Sequence, residues 1–170
     1  LCILRYIRKK TISVGTGSKG DWDKIINGKA EPNAVYKLDN GHAYVTDDKG
    51  RVMNVGGDLG GIKLDKNNHQ QLLAGKEGNA ETGQKYDGGH LIATQLGGAG
   101  DKINLVPMTV GLNRSQYLAM ENKLAAALVD GKNVTVKIDV SYPTPNSVTP
   151  NFIRVTSYID GVEEVHPFRQ

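Results

Sequence analysis

Cysteine is nearly absent from this chain: Cys2 stands alone among 170 residues. No intrachain disulfide is available, so pairing says nothing of the redox compartment. Long apolar runs are absent too. No stretch approaches the run of about 18 apolar residues that spans a bilayer as a helix. Leu1–Ile7 (LCILRYI) is apolar but short and contains Arg5, and it lacks a signal peptide's order of charge, apolar run and cleavage site. Aromatics make up only 6% of the chain, with Trp22 the single tryptophan. There is no Cys-x-x-Cys, no His-Glu-x-x-His and no Walker-type glycine loop ending in Gly-Lys-Ser/Thr, which argues against a zinc cage and against a P-loop. The first residue is not methionine, and we read the chain as a piece of a longer protein.

Glycine is abundant at 21 residues, beside an ordinary hydrophobic content of 38%. That balance describes a loop-rich globular chain rather than a disordered one, long enough for one domain with a core. The net charge of +3 says little by itself about a nucleic-acid partner. Its distribution says more. Residues 1–19 hold Arg5, Arg8, Lys9, Lys10 and Lys19 and no acid, whereas residues 76–130 hold five basic and six acidic side chains. We expect a basic arm or linker over 1–20 and a single domain over 21–170. Any phosphate-binding surface would be a local arrangement, not a general field.

Ala34–Leu38, His42–Thr46 and Arg51–Val55 read as three strands separated by the turns Asp39-Asn40-Gly41 and Asp47-Asp48-Lys49-Gly50. Gly56–Thr82 holds six glycines and reads as a long irregular loop, with a hint of a helical turn at His69–Ala74. Ile103–Pro107 reads as extended, because Pro107 keeps Val106 out of helical angles. Asn113–Val129 reads as one amphipathic helix, with Asn113, Tyr117, Met120, Leu124 and Leu128 within roughly 80° of one another and Glu121 at the edge of that stripe. Asn133–Tyr142 and Phe152–Ile159 alternate as strands, and Val162–Val165 is a short return.

The chemistry concentrates in Lys85–Asn122, KYDGGHLIATQLGGAGDKINLVPMTVGLNRSQYLAMEN. Phosphodiester hydrolysis at one metal ion needs a base for the water, a cation near the leaving oxygen and something to hold that cation. His90 can be the base, since a histidine near its ordinary pKa is largely neutral at working pH, provided its second ring nitrogen has a partner that sets the tautomer. Gly88 and Gly89 let backbone approach closely and clear room for substrate. Magnesium takes oxygen ligands and keeps most of its waters. Asn113 can offer an amide oxygen and Glu121 can accept from the metal's waters. Asn104 would hold the loop before the helix or contact phosphate. Lys85, Arg114 and Arg51 could neutralise the non-bridging oxygens. Taken singly, these residues have blander uses. A histidine after glycines is usually a loop residue, an asparagine before a helix usually a cap, and a helical glutamate usually a solvated charge. Their order on a strand–loop–helix pattern is what points to a site.

DGGHLIATQLGGAGDKINLVPMTVGLNRSQYLAMEN resembles the DNA/RNA non-specific endonuclease family, whose site is a ββα-metal finger (His-Me finger) with a D-R-G-H signature. It is most similar to the branch found as C-terminal toxin domains of bacterial polymorphic toxins. The motif covers about 45 residues, and a looser likeness runs through AVYKLDNGHAYVTDDKGRV and the late strands. The nine-residue step from Asn104 to Asn113 and the eight-residue step from Asn113 to Glu121 both follow the family pattern. The resemblance implies His90 as general base, Asn113 as direct magnesium ligand and Glu121 as its partner through metal-bound water. Asn104 would support the site and Asp87 would order the loop. Gly88 departs from the signature, which has arginine there, and this leaves Lys85, Arg51 or Arg114 to steady the transition state.

The expected protein is therefore α+β, an antiparallel sheet with a ββα-metal element inserted. It would be a Mg2+-dependent endonuclease, with Mn2+ as a substitute, cutting DNA, RNA or both. It would act as a secreted toxin in the target-cell cytoplasm, would span no membrane and would meet a cognate immunity protein. The alternatives are a non-catalytic module that binds nucleic acid or protein, and a nuclease restricted to RNA.

Overall fold

The computed structural model describes residues 9–60 and 62–170. The apolar start Leu1–Ile7, Cys2 and the first part of the basic arm lie outside the described residues. The strands in chain order are β1 (Lys10–Val14), β2 (Ala34–Leu38), β3 (Ala43–Thr46), β4 (Val52–Asp58), β5 (Tyr86–His90), β6 (Leu105–Thr109), β7 (Val134–Ser141), β8 (Phe152–Ile159) and β9 (Val162–Arg169). Seven form one sheet in the order β1-β2-β3-β4-β7-β8-β9, and β5 and β6 form a separate two-stranded ribbon.

The meander β2–β3–β4 forms where its turns direct it. Gly41 and Gly50 supply the left-handed angles, φ 84° and 77°, that tight turns require. Beyond it the sheet departs from expectation at both edges. β1 pairs with β2 in parallel, so the sheet is not wholly antiparallel. Lys10–Val14 therefore belongs to the sheet, within the stretch expected to be an arm. The physical reason is its alternation: Ile12 and Val14 turn inward and pack against the core. At the far edge β9 runs to Arg169 because all eight residues of β8 find partners in it.

The larger correction concerns Gly56–Thr82. Its second half is no loop but the helix α2 (Asn68–Thr82), following the single-turn helix α1 (Lys24–Asn27). Asn67 caps α2 by accepting from the Gln70 amide at 3.2 Å. Two of the glycines that suggested loop are contact points. A Cβ on Gly75 would meet the Tyr86 carbonyl oxygen at 2.9 Å, and one on Gly78 would meet Pro107 at 2.7 Å and Tyr86 at 2.8 Å. The helix is glycine-bearing because it lies directly on the ribbon.

The helix expected over Asn113–Val129 is two helices, α3 (Val110–Arg114) and α4 (Gln116–Val129). Thr109 caps α3 by accepting from the Leu112 amide, and Ser115 breaks the run at φ −128°, ψ −88°. Asn113 thus sits in the last turn of α3 and does not open a helix. Together β5, β6, α3 and α4 are the ββα element. One core joins it to the sheet: Leu91, Leu96, Met108, Tyr117 and Leu124 pack in the same cluster as Tyr36, Tyr44, Val55, Ile138 and Ile153.

Candidate active site

His90 ends β5, opposite Leu105 of β6. The chain after it is held on two sides. The buried Asn104 accepts from the Ile92 amide at 3.0 Å and donates to the Ile92 and Ala99 carbonyls at 2.7 Å each. The Tyr117 hydroxyl of α4 donates to the Leu91 carbonyl at 2.7 Å. The backbone beside the imidazole is therefore tied to the helix that carries Glu121. Asn104 supports the loop through buried hydrogen bonds. Tyr117, which the sequence suggested only as a core residue, contributes a second tie.

His90, Asn113 and Glu121 line one cavity of about 240 Å³, together with Lys63, Lys66 and Gln71. His90 is only 8% exposed, and burial, aided by the positive charge of Lys66, pushes its pKa down to about 4. Its Nε2 is buried with no hydrogen-bond partner among the described residues, so the partner expected to fix its tautomer is not found there. Burial pushes Glu121 up to about 7, against the pull of Lys66.

Asp87, expected to order the loop, bonds two residues of α3. It accepts from the Asn113 amide nitrogen at 3.1 Å and takes a two-pronged ion pair from Arg114, Nε to Oδ2 at 2.8 Å and Nη2 to Oδ1 at 2.9 Å. With the Asn113 nitrogen engaged, the amide oxygen remains available to a ligand. The Arg114 hydrogen bond, and after it that from Asn113, hold the Asp87 carboxyl below the usual carboxylate range although partial burial opposes them.

The three expected phosphate-binding cations are not gathered in the cavity. Arg51 pairs with Asp47 at 2.8 Å, donates to the Thr144 and Ser147 carbonyls at 2.8 Å each and lies over the Tyr142 ring at 4.3 Å. It is a structural residue lining a different cavity, beside Pro107. Arg114 is engaged by Asp87, and Lys85 is exposed outside the cavity lining. The cavity's own cations, Lys63 and Lys66, come from the segment before α2. Recognising α2 would have been the signal for them. The room expected at Gly88 and Gly89 is also filled: a Cβ on Gly88 would lie 2.0 Å from the Gln71 carbonyl oxygen, and one on Gly89 would lie 2.8 Å from Met108.

Among the described residues no cluster of three His, Cys, Asp or Glu side chains is placed to hold a metal. Among the oxygens lining the cavity are the Asn113 amide and the Glu121 carboxylate, the one carboxylate in that lining. Such a sparse set suits an ion that keeps its waters and does not suit a four-ligand zinc cage.

The family model for the DNA/RNA non-specific endonuclease matches residues 32–161. The chain belongs to this family. The endonuclease is an α+β hydrolase of nucleic acid with the ββα-metal fold. It is 34% identical over 144 residues to the type VII secretion system protein EssD of Staphylococcus aureus (strains USA300 and NCTC 8325), a match covering 81% of this chain and 23% of EssD. The chain thus spans about a quarter of the length of the curated relatives it matches. The fold is shared with NucA from Streptococcus agalactiae. The metal-free NucA structure gives a TM-score of 0.58 at 19% identity, covering 75% of this chain and 69% of NucA. The magnesium-bound one gives 0.56 at 16%, covering 75% and 71%. No helix among the described residues is long and apolar enough to cross a membrane.

Proposed function

We propose that this domain is a metal-dependent endonuclease of low base specificity that uses His90 as general base. The observation that carries this reading is the meeting of His90, Asn113 and Glu121 in one cavity from three different elements. In this reading the neutral imidazole of His90 takes a proton from the attacking water. A bond forms from that water's oxygen to phosphorus while the bond to the leaving sugar oxygen breaks, and that oxygen takes a proton from solvent. Asn113, through its amide oxygen, and Glu121 would hold a divalent cation, Mg2+ with Mn2+ as a substitute. When bound, that cation supplies Lewis-acid stabilisation of the leaving oxygen. Asp87 orients Asn113, and Asn104 with Tyr117 holds the backbone that carries His90. The magnesium-bound NucA structure supports the choice of metal by analogy of fold.

Two clefts adjoin the cavity through shared lining residues. Gln71 also lines a cleft of about 290 Å³ with Lys76, and Gln95 also lines a larger one, about 560 Å³, with Lys132. No base-reading module is visible in the sequence, which favours cleavage of DNA, RNA or both. The relative named as a type VII secretion protein supports a delivered toxin domain. It would act in the target-cell cytoplasm and be neutralised by an immunity protein in the producer.

The test is incubation of plasmid DNA and of RNA with the domain and Mg2+, then with EDTA, for the natural sequence and His90→Ala. Metal-dependent cleavage that His90→Ala abolishes, with folding intact, is expected. Binding without metal-dependent cleavage would indicate the non-catalytic module, cleavage of RNA alone the restricted nuclease, and full activity of His90→Ala would remove His90 from the mechanism.

A further inference from the structure

A phosphate entering the cavity would bring negative charge beside Glu121, and any protein cation that contacts it has to come from the cavity wall. Position 88 cannot supply it, since any side chain there would start 2.0 Å from the Gln71 carbonyl oxygen. Arg51 and Arg114 are engaged by Asp47 and Asp87, and Lys85 lies outside the lining.

We propose that Lys66 is the catalytic cation that contacts the scissile phosphate, its backbone fixed at the entry to α2. This rests on the endonuclease function proposed for the domain. Lys66 lines the same cavity as His90, Asn113 and Glu121. Its charge is felt at both ends of the site, at His90 and at Glu121. Among the described residues its ammonium enters none of the ion pairs.

Its backbone is built in. A Cβ on Gly100 would lie 1.9 Å from the Asp65 carbonyl oxygen and 3.0 Å from the Lys66 Cα, so the segment can sit there only because residue 100 is glycine. The Leu64 amide donates to the Thr94 carbonyl at 3.1 Å, the Lys19 amide to the Asp65 carboxylate at 2.9 Å, and the Asn67 side chain both caps α2 and donates to Asn27 at 3.3 Å. These contacts fix where the lysine's flexible four-carbon side chain starts from. Its side chain would donate to a non-bridging oxygen, where charge grows as the leaving bond breaks.

The experiment compares the natural sequence, Lys66→Ala, Lys66→Arg and the exposed-strand control Lys37→Ala on a quenched fluorescent DNA oligonucleotide with Mg2+, after thermal melts establish that each variant folds. Lys66→Ala is expected to lower kcat by about 10²–10³-fold, the scale of a lost oxyanion donor, with KM raised by at most a few-fold, about what one lost phosphate contact costs. Lys66→Arg is expected to recover most of the rate. In a His90→Ala background, Lys66→Ala should reduce the slope of log Kd against log salt by about one, the signature of one lost phosphate contact. Cleavage by Lys66→Ala within about threefold of the natural sequence, or a rise in KM alone, would overturn the assignment while leaving the nuclease standing. Failure of the natural sequence to cleave would instead overturn the proposed function on which the assignment rests. Should Lys66→Ala not fold, Lys66→Gln and its salt slope decide between the same outcomes.

Discussion

The Asp87 carboxylate accepts from the Asn113 amide nitrogen at 3.1 Å, which leaves the amide oxygen of this cavity-lining residue outside that bond. Asp87→Ala should release that amide to rotate. We expect Mg2+ or Mn2+ affinity to fall roughly 10–100-fold, as for other lost outer-shell partners, with the fold retained. Calorimetric titration checks this, and unchanged affinity would mean that something else orients Asn113. The orientation should also survive mild acid. The Asp87 carboxyl lies below its ordinary value, chiefly through the Arg114 hydrogen bond. Its stabilising contribution is therefore fully present above the unfolded value near 4 and is lost only as pH falls through the lower folded value.

Glu121 has the opposite sign. Burial raises it to about 7 without metal, so protons should compete with a divalent ion at neutral pH. Metal affinity should weaken by up to about tenfold per pH unit below pH 7 and level off above it, and Glu121→Gln should abolish that dependence. A flat affinity from pH 5.5 to 8 would count against Glu121 as a metal partner. Because the folded pKa lies above the unfolded one, the contribution to stability is present at low pH and lost as pH rises through 7. Metal-free Glu121→Gln should therefore melt higher than the natural sequence at pH 8, by roughly 2–4 °C for each kcal/mol recovered.

Gly88→Ala should destabilise the domain by about 1–3 kcal/mol, the usual cost of overpacking. The new Cβ would lie 2.0 Å from the Gln71 carbonyl oxygen, and that neighbour is helix backbone. Urea denaturation gives the value. A neutral effect would mean that α2 can move away from the ribbon.

Asn104→Ala removes three side-chain hydrogen bonds at a site with no exposure. Groups left unpaired there should cost about 1–3 kcal/mol each at most. Cleavage should fall together with stability, since the released loop carries the backbone next to His90. Full activity in a destabilised variant would separate the loop from the chemistry.

Legibility in the sequence followed the range of the forces involved. The meander could be read because Gly41 and Gly50 mark their turns locally, and β7 because its buried positions alternate strictly. The order His90, Asn104, Asn113, Glu121 was visible in the sequence, and its resemblance to the DNA/RNA non-specific endonuclease pattern pointed to the family to which the chain belongs. What could not be read depended on tertiary contact. Gly75 and Gly78 look like loop residues until Tyr86 and Pro107 are found against them. With α2 hidden, Lys66 and Gln71 had no reason to be placed beside His90. Arg51 looked available because its partners, the Thr144 and Ser147 carbonyls, lie more than ninety positions away. The break at Ser115 leaves Asn113 and Glu121 on separate helices, yet both side chains still reach one cavity.

The chain leaves the sheet after β4 and returns at β7 at neighbouring points: Asp58 is opposite Thr135, and the Leu59 amide donates to the Val134 carbonyl at 2.8 Å. Everything that would touch a nucleic acid hangs between those two pegs as one excursion, fastened to the rest by side-chain packing and by hydrogen bonds such as those from the Lys19 amide to Asp65 and from the Thr109 amide to Gln170, and not by strand pairing. Such a cassette can be redrafted, lengthened or stripped of its chemistry without rethreading the platform beneath it.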